Sequence, residues 1–318
     1  MKKRIVIVVL GAKDPEMDRI AEISQKKEGV IVVHAMKDGI LVNPANAYEA
    51  NEDSLVLYMK KGALMENIKQ VIFVECNMPA LNFIIDKRFM HADHHRPGDT
   101  GFSFGPNDFW KASSLGQVYE LLNLQNPTSR DNILAAMDHC FNAAANGKCV
   151  GVSLEQVLEL KFAGIAQETG NTVQDIQVYT RRVVESFGLR WVQDIYPDIF
   201  ISSEIIIKDT LVYVIPDRGV GYNVKYLCAQ VAAVIREIPV LIHSHLMEGD
   251  LGKFHLCGNA SKELVEFFMN YWAQEIGLEK VYGNPDRGYA GAYITKKFAK
   301  DFKEYGIESM SKKLIPKN

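Results

Sequence analysis

Residues 4–11, RIVIVVLG, form a continuous apolar run rich in β-branched residues and closed by Gly11, the pattern of a buried parallel strand. DPEMDRIAEISQKKEG (14–29) then has helical spacing. Asp14 stands at the N-cap, Pro15 at the first helical position, Glu16 in the first turn and Gly29 beyond the last. VIVVHAM (30–36) reads as a second strand and QVIFVECN (70–77) as another, ending in Glu75 and Cys76. FIIDKRFM (83–90) is a further short apolar segment before MHADHHRPGDTGF. Helical patterns follow in DFWKASSLGQVYELLNLQ (108–125) and SRDNILAAMDHCFNAAANG (129–147), the second closed by Gly147, and again across 153–188.

From Trp191 the texture changes to strand-like runs, DIFISSEIIIKDTLVYVIPD (198–217) and VAAVIREIPVLIHSHL (231–246). A last helix, SKELVEFFMNYWAQEIG (261–277), precedes VYGNPDRGYAGAYI (281–294). Alternating strands and helices predict an α/β fold: a mostly parallel sheet flanked by helices, with a second, smaller α/β domain across a cleft. The expected boundaries are 1–155 for the first domain, 156–190 for a helical connector and 191–318 for the second domain.

Composition narrows the function classes. The 318 residues are 47% hydrophobic and 24% charged, enough for a sizeable core. A net charge of −3 provides no global basic field, so long duplex DNA is not an expected partner. No stretch approaches the roughly 20 apolar residues that span a bilayer, and a buried strand explains the N-terminal apolar run better than a leader peptide. Five scattered cysteines without a Cys-x-x-Cys pair suggest neither a disulfide framework nor a structural zinc site. A cytoplasmic protein with reduced thiols is expected.

Open α/β sheets bind ligands beyond the carboxyl ends of their strands. Asp14 and Glu16 follow the first strand, Glu75 closes a later one, and Asp93, His94 and His95 follow another. Asp138 and His139, on a helix, can add to them. Four of the eight histidines lie between His91 and His139, so the enrichment is local. Carboxylates and imidazoles gathered this way suit Mn²⁺, Mg²⁺ or Zn²⁺. Two such ions about 3.5–4 Å apart can activate water and stabilise a phosphoryl transition state.

Plainer readings exist for each residue. Capping and the helix dipole alone account for Asp14 and Glu16. Glu75 can be a structural partner of an arginine, and Arg96 and Asp99 partners within a loop. His139 can be a packing residue. Neighbours on a helix point about 100° apart, so the adjacency of His139 and Cys140 does not indicate a catalytic pair.

ADHHRPGD resembles the Asp-His-His signature of the DHH phosphoesterases, and other pieces fall in that family's order. KDPEMD occupies the place of its first motif, VIFVECN that of the second, and ILAAMDHCF resembles the fourth. ASSLGQVYELL is similar to the Ser-rich helix start that follows the signature. GNPDRGYAGAY resembles the Gly-rich substrate-binding segment of the family's C-terminal domain. The departures are Glu16 and Glu75 where the family has Asp, and Leu10 where it has a His.

The resemblance implies a metal-dependent phosphoesterase acting through metal-activated water on a nucleotide, short oligonucleotide or cyclic dinucleotide. It carries over Asp14, Glu16, Glu75, His94 and Asp138 as metal ligands, Mn²⁺ first, with Mg²⁺ and Zn²⁺ as alternatives. Asp93, His94 and His95 become catalytic candidates, and Arg96, Asn284, Arg287 and Gly288 substrate-binding ones. Glycines 283, 288 and 291 around Arg287 let backbone N–H groups approach a phosphate. PDRGVGYN (216–223) repeats the theme, and His243 and His245 share a strand face.

Two alternatives are carried forward. One is a nucleotide-binding relative without turnover, suggested by the two glutamates and the missing His. The other is a metal-dependent hydrolase of a non-phosphate bond. Homo-oligomerisation stays open.

Overall fold

The computed structural model describes residues 5–44, 46–51, 55, 67–81, 88–187, 203–207, 210–215, 224–244 and 252–295. The chain divides into two compact units, Met1–Ser153 and Leu154–Asn318. Both are α/β. Among the described residues no helix is long and apolar enough to cross a membrane.

In the first unit the elements run β1 (Ile5–Leu10), α1 (Pro15–Gln25), β2 (Val30–His34), β3 (Met36–Lys37), β4 (Ile40–Leu41), β5 (Ile68–Val74) and β6 (Phe89–Ala92). After these come α2 (Phe109–Ala112), α3 (Ser114–Leu121) and α4 (Ser129–Ala145). Four strands pair in the order β2-β1-β5-β6, parallel throughout, with Val8 beside Val32 and Ile72, and Ile72 beside Met90.

The continuous apolar runs reflect burial on both faces. Ile7, Val9, Val71 and Phe73 join Val42, Leu55 and Met78 in one core, while the alternate residues Val8, Leu10, Ile72 and Val74 are buried on the other face. Helix α1 packs against β1 and β2 and buries Met17, Ile20 and Ile23. Each such side chain stabilises the fold by about 1.5–3 kcal/mol. Asp14 caps α1 with Pro15 beside it, as its sequence requires.

The helix expected over 108–125 is broken at Ser113, whose backbone is extended and whose side chain accepts the Gly116 N–H as the N-cap of α3. Gly116 lies against the Trp110 carbonyl, where a Cβ would collide, so the two short helices meet at a corner only glycine permits. Thr128 and Asp131 form a capping box at the start of α4. The same helix leaves helical geometry at Cys140 (φ −153°, ψ 63°).

The second unit contains α5 (Leu154–Thr169), α6 (Val173–Ser186), β7 (Ser203–Ile207), β8 (Thr210–Ile215), α7 (Val224–Ile235), β9 (Pro239–Ser244) and β10 (Lys253–Gly258). Helix α8 (Lys262–Phe267) continues through a π-helical turn at Phe268–Trp272 before β11 (Glu279–Asn284) and β12 (Tyr289–Tyr293). The described strands pair in the order β11-β12-β10-β9-β8-β7, antiparallel except β8 with β9. Phe254, Leu256, Val265, Phe268, Trp272, Ala290 and Ala292 lie in its core.

Two expectations need correction here. The run 231–246 is not strand throughout: Val231 to Ile235 end helix α7. Cys228, Ala229, Val231, Ala232, Ala233 and Val234 are all buried, and a helix apolar on every side loses the 3.6-residue signature that separates it from a strand. The helical stretch expected as a connector is two helices, α5 and α6, separated at Gly170 and restarted by the Thr172 cap. Both belong to the second unit, so that unit, at 165 residues, is not smaller than the first at 153. Residues 83–87, Trp191, PDRGVGYN and His245 lie outside the described residues.

Candidate metal centre

Parallel pairing in the order β2-β1-β5-β6 brings the carboxyl ends of β1, β5 and β6 to one sheet edge. Gly11 closes β1, its N–H donating to the Val74 carbonyl at 2.9 Å. A Cβ on Gly11 would stand 2.5 Å from the Glu75 carbonyl oxygen, so a larger residue would push the first loop off the end of β5. Glu75 itself has a left-handed backbone (φ 49°), costly for a residue with a Cβ and held by its N–H bond to the Ala92 carbonyl at 3.1 Å. The strain turns the Glu75 side chain out of the strand pattern, at the centre of the edge.

Around Glu75 two triads form. Glu16, Glu75 and Asp138 offer ligand atoms all within 4.8 Å of one another, and so do Glu75, His94 and His95. His94 is fully buried, with Nε2 3.1 Å from Asp138 Oδ2 and 3.9 Å from Glu75 Oε1. His95 Nδ1 lies 3.1 Å from Asp93 Oδ1 and 3.9 Å from Glu75 Oε2, and its side chain remains 39% exposed at the rim.

The start of α3 braces the cluster. The Leu115 N–H donates to Glu16 Oε1 at 3.0 Å, and Ser114 Oγ donates to Glu75 Oε1 at 2.8 Å. A helix N-terminus aimed at two carboxylates partly offsets their charge. Asp93 is a brace rather than a ligand. Its Oδ1 accepts the backbone N–H groups of His94 (2.7 Å) and His95 (3.1 Å), and its Oδ2 accepts the Tyr48 hydroxyl at 2.9 Å. Gln117 bonds the Asp93 backbone on both sides, accepting its N–H and donating to its carbonyl, each at 3.1 Å.

The electrostatics favour a cation. Burial pushes the Glu16 carboxyl well above its ordinary range, and Asp138, Glu75 and Asp14 push it further. Burial does the same to Glu75; His95 pulls it back, and Asp138 and Asp14 add to the rise. Asp14 rises to about 7, through burial and then Asp138, against the opposing Met17 N–H. Desolvation works against charge on His95, yet Glu75, Asp93 and Asp138 lift it to about 9. Asp93 goes the other way: burial alone would raise it, but His95 and Tyr48 hold it below the usual carboxylate range.

Mutually repelling carboxylates with imidazoles alongside form a hard oxygen and nitrogen donor set, one that suits Mn²⁺, Mg²⁺ or Zn²⁺. The fit has a specific sign. Glu16 is 2% exposed, and its Oε2 has no hydrogen-bond partner among the described residues, an expensive arrangement unless a cation takes that oxygen.

Of the five expected ligands, Glu16, Glu75, His94 and Asp138 come together, and His95 joins them. Asp14 belongs to neither triad, and its Oδ1 accepts the Met17 N–H at 2.7 Å as a helix cap. His139 packs its ring against His94 at 5.1 Å, with Nε2 3.1 Å from the Phe104 carbonyl. The Arg96 guanidinium lies 3.3 Å over the Tyr48 ring and makes no ion pair among the described residues. Its backbone N–H bonds Asp99 at 2.6 Å.

The remaining candidates are in the second unit. Asn284 Oδ1 accepts the N–H groups of Asp286 (3.0 Å) and Arg287 (3.2 Å), and Gly288 is left-handed (φ 71°). Arg287 stacks on Tyr289 at 5.2 Å and donates to its hydroxyl at 3.1 Å, while Asp286 pairs with Lys262.

Sequence reasoning missed Tyr48, Ser114 and Gln117. The Ser-rich helix start was a signal for Ser114. Tyr48 sits in a short 3-10 turn, Ala47–Glu49, whose spacing carries no periodic signal. No family model matches the chain, and no curated protein matches it significantly.

Proposed function

We propose that the first unit is the metal-binding, catalytic part of a phosphoesterase that hydrolyses a small phosphorylated ligand: a nucleotide, short oligonucleotide or cyclic dinucleotide. The observation that carries the reading is Glu75, shared between two ligand triads at one sheet edge. Divalent ions held there would activate water and polarise the phosphoryl oxygens.

The protein's own groups supply the rest. Glu16, Glu75 and Asp138 would hold one cation, and Glu75, His94 and His95 would hold a second. Asp93 Oδ1, 3.1 Å from His95 Nδ1, orients the ring, and His95 would bind a cation or exchange a proton with substrate. Arg96, stacked on Tyr48 and without an opposing carboxylate among the described residues, is the cation for substrate phosphate oxygens. Within the second unit, taken by itself, Arg287 and Gly288 are the groups suited to a phosphate. Asn284 shapes that turn by holding the N–H groups of residues 286 and 287.

One observation favours a second reading. Glutamates stand at both positions where the resembled family has aspartates, and their longer arms alter the spacing between two cations. A nucleotide-binding protein without turnover would follow.

Metal content of the purified protein beside His94→Ala, with Mn²⁺-supported hydrolysis of bis-p-nitrophenyl phosphate and of dinucleotides, separates these readings. Metal lost in the variant and turnover in the wild type support the phosphoesterase. Metal without turnover supports the binder, or a hydrolase of a non-phosphate bond. No metal in either protein, even with added Mn²⁺, overturns all three.

A further inference from the structure

Helix α4 carries Asp138 into the metal cluster and breaks two residues later. Cys140, at the break, has its Sγ 3.3 Å from Cys149 Sγ, and both side chains are buried. The other three cysteines are buried without such a neighbour, and burial pushes the Cys228 thiol up to about 11 and Cys257 up to about 12. Cys149 is shifted downward, chiefly by its hydrogen bond with Cys140 and against burial.

Cys149 sits in a tight turn between left-handed Gly147 (φ 67°) and Gly151 (φ 78°), with its neighbours Lys148 and Val150 exposed. Local opening of this turn would give a small reagent access to a sulfur that is 1% exposed when closed.

We propose that Cys140 and Cys149 are an oxidisable dithiol that closes into an intrachain disulfide, and that closure weakens the hold of Asp138 on a cation. Bond formation draws the sulfurs from 3.3 Å to about 2.05 Å. The movement falls on Cys140, where the helix is already interrupted, and is transmitted to Asp138 and to His139 against His94. A small-molecule disulfide of the glutathione type is the oxidant. Deprotonated Cys149 attacks one of its sulfurs, the reagent's S–S bond breaks and one thiolate leaves. Deprotonated Cys140 then attacks Cys149 Sγ; the Cys140–Cys149 bond forms, the mixed disulfide breaks and the second thiolate leaves. The protein dithiol loses two electrons, the reagent gains them, and the two cysteine protons end on the two released thiols.

The coupling half rests on the metal centre proposed above; the disulfide half does not. The test equilibrates the full chain with glutathione disulfide, then reads intact mass, a non-reducing peptide map and Mn²⁺ affinity, before and after dithiothreitol. The expected result is loss of two hydrogens, one peptide pair joined through Cys140 and Cys149, and Mn²⁺ binding weakened roughly tenfold or more. Dithiothreitol restores it, and Cys149→Ser binds Mn²⁺ like the reduced wild type under both conditions. A dithiol that stays reduced overturns the proposal, as does a disulfide that leaves Mn²⁺ affinity unchanged. Reduced protein that binds no Mn²⁺ overturns the metal reading and the coupling together, with the mass still reporting the bond.

Discussion

The two units bury polarity in different ways. Among the described residues, the first hides Glu16, Asp93, His94, Asp131 and His139, whereas the second hides no carboxylate or histidine fully, only Thr180, Ser186 and Asn284. Where the second unit crowds a titratable group, at half-buried His255, desolvation and then Lys253 drive the ring down to about 3, which keeps it neutral beside Gln230. That is the ordinary solution, because a buried charge costs several kcal/mol unless it is paired.

The first unit shows two other solutions side by side. Asp131 is paired completely, with Arg19 at 2.5 Å, Tyr119 at 2.9 Å and Thr128. Glu16, Glu75 and Asp138 face one another, and burial and mutual repulsion hold Glu16 and Glu75 far above their ordinary range. Asp131 serves the fold. The facing carboxylates have no cationic side chain such as Arg19 among them in the described contacts, and under the proposed function a bound cation would take that place.

Substitutions can break this contrast in order of effect. Glu75→Gln removes charge from both triads, and Mn²⁺ affinity measured by calorimetric titration falls by more than about 100-fold. An affinity within threefold of wild type would mean Glu75 is not shared.

Arg19→Met should leave Mn²⁺ affinity unchanged while lowering stability to urea by about 2 kcal/mol. Its pH dependence follows from Asp131. Burial alone would raise that carboxyl, but Arg19 and Thr128 hold it at about 2, below its unfolded value of about 3.9. Its contribution is therefore fully present above about pH 4 and is lost as pH falls toward 2. The urea midpoint of wild type should drop across that window, and that of Arg19→Met should drop less.

Glu16→Gln sharpens the difference between a structural and a functional carboxylate. Relief of repulsion should raise stability without metal by about 1 kcal/mol while Mn²⁺ affinity falls. Thermal melts with and without Mn²⁺ should therefore shift in opposite directions. The smallest effect is expected in the second unit. Asn284→Ala removes a cap worth about 1 kcal/mol and leaves Mn²⁺ binding to the first unit unchanged.

Much of the first unit was legible because its signals are local. β-branched runs ending at Gly11 and Glu75 marked strands, and Asp14-Pro15 marked a helix start. The rule that ligands gather at carboxyl strand ends put Glu16, Glu75 and His94 on one edge. Asp138 was a candidate from the residues alone, beside His139, and the resemblance made it a ligand. Asp14 caps α1 and stands outside both triads, yet it adds to the repulsion on Glu16 and Glu75; a capping aspartate and a ligating one look the same in sequence. Tyr48 and Gln117 were invisible because they act through hydrogen bonds across 45 and 24 residues. In the second unit helix α7 was misread for want of a polar face, and the π-helical turn at Phe268–Trp272 departs from the period on which helix recognition relies.

Anomalous scattering from crystals grown with Mn²⁺ tests the account at its centre. It predicts manganese at Glu16–Glu75–Asp138 and at Glu75–His94–His95, with Glu75 contacting both, and loss of both peaks in Glu75→Gln. Manganese bound elsewhere, or no peak touching Glu75 at millimolar Mn²⁺, would contradict it.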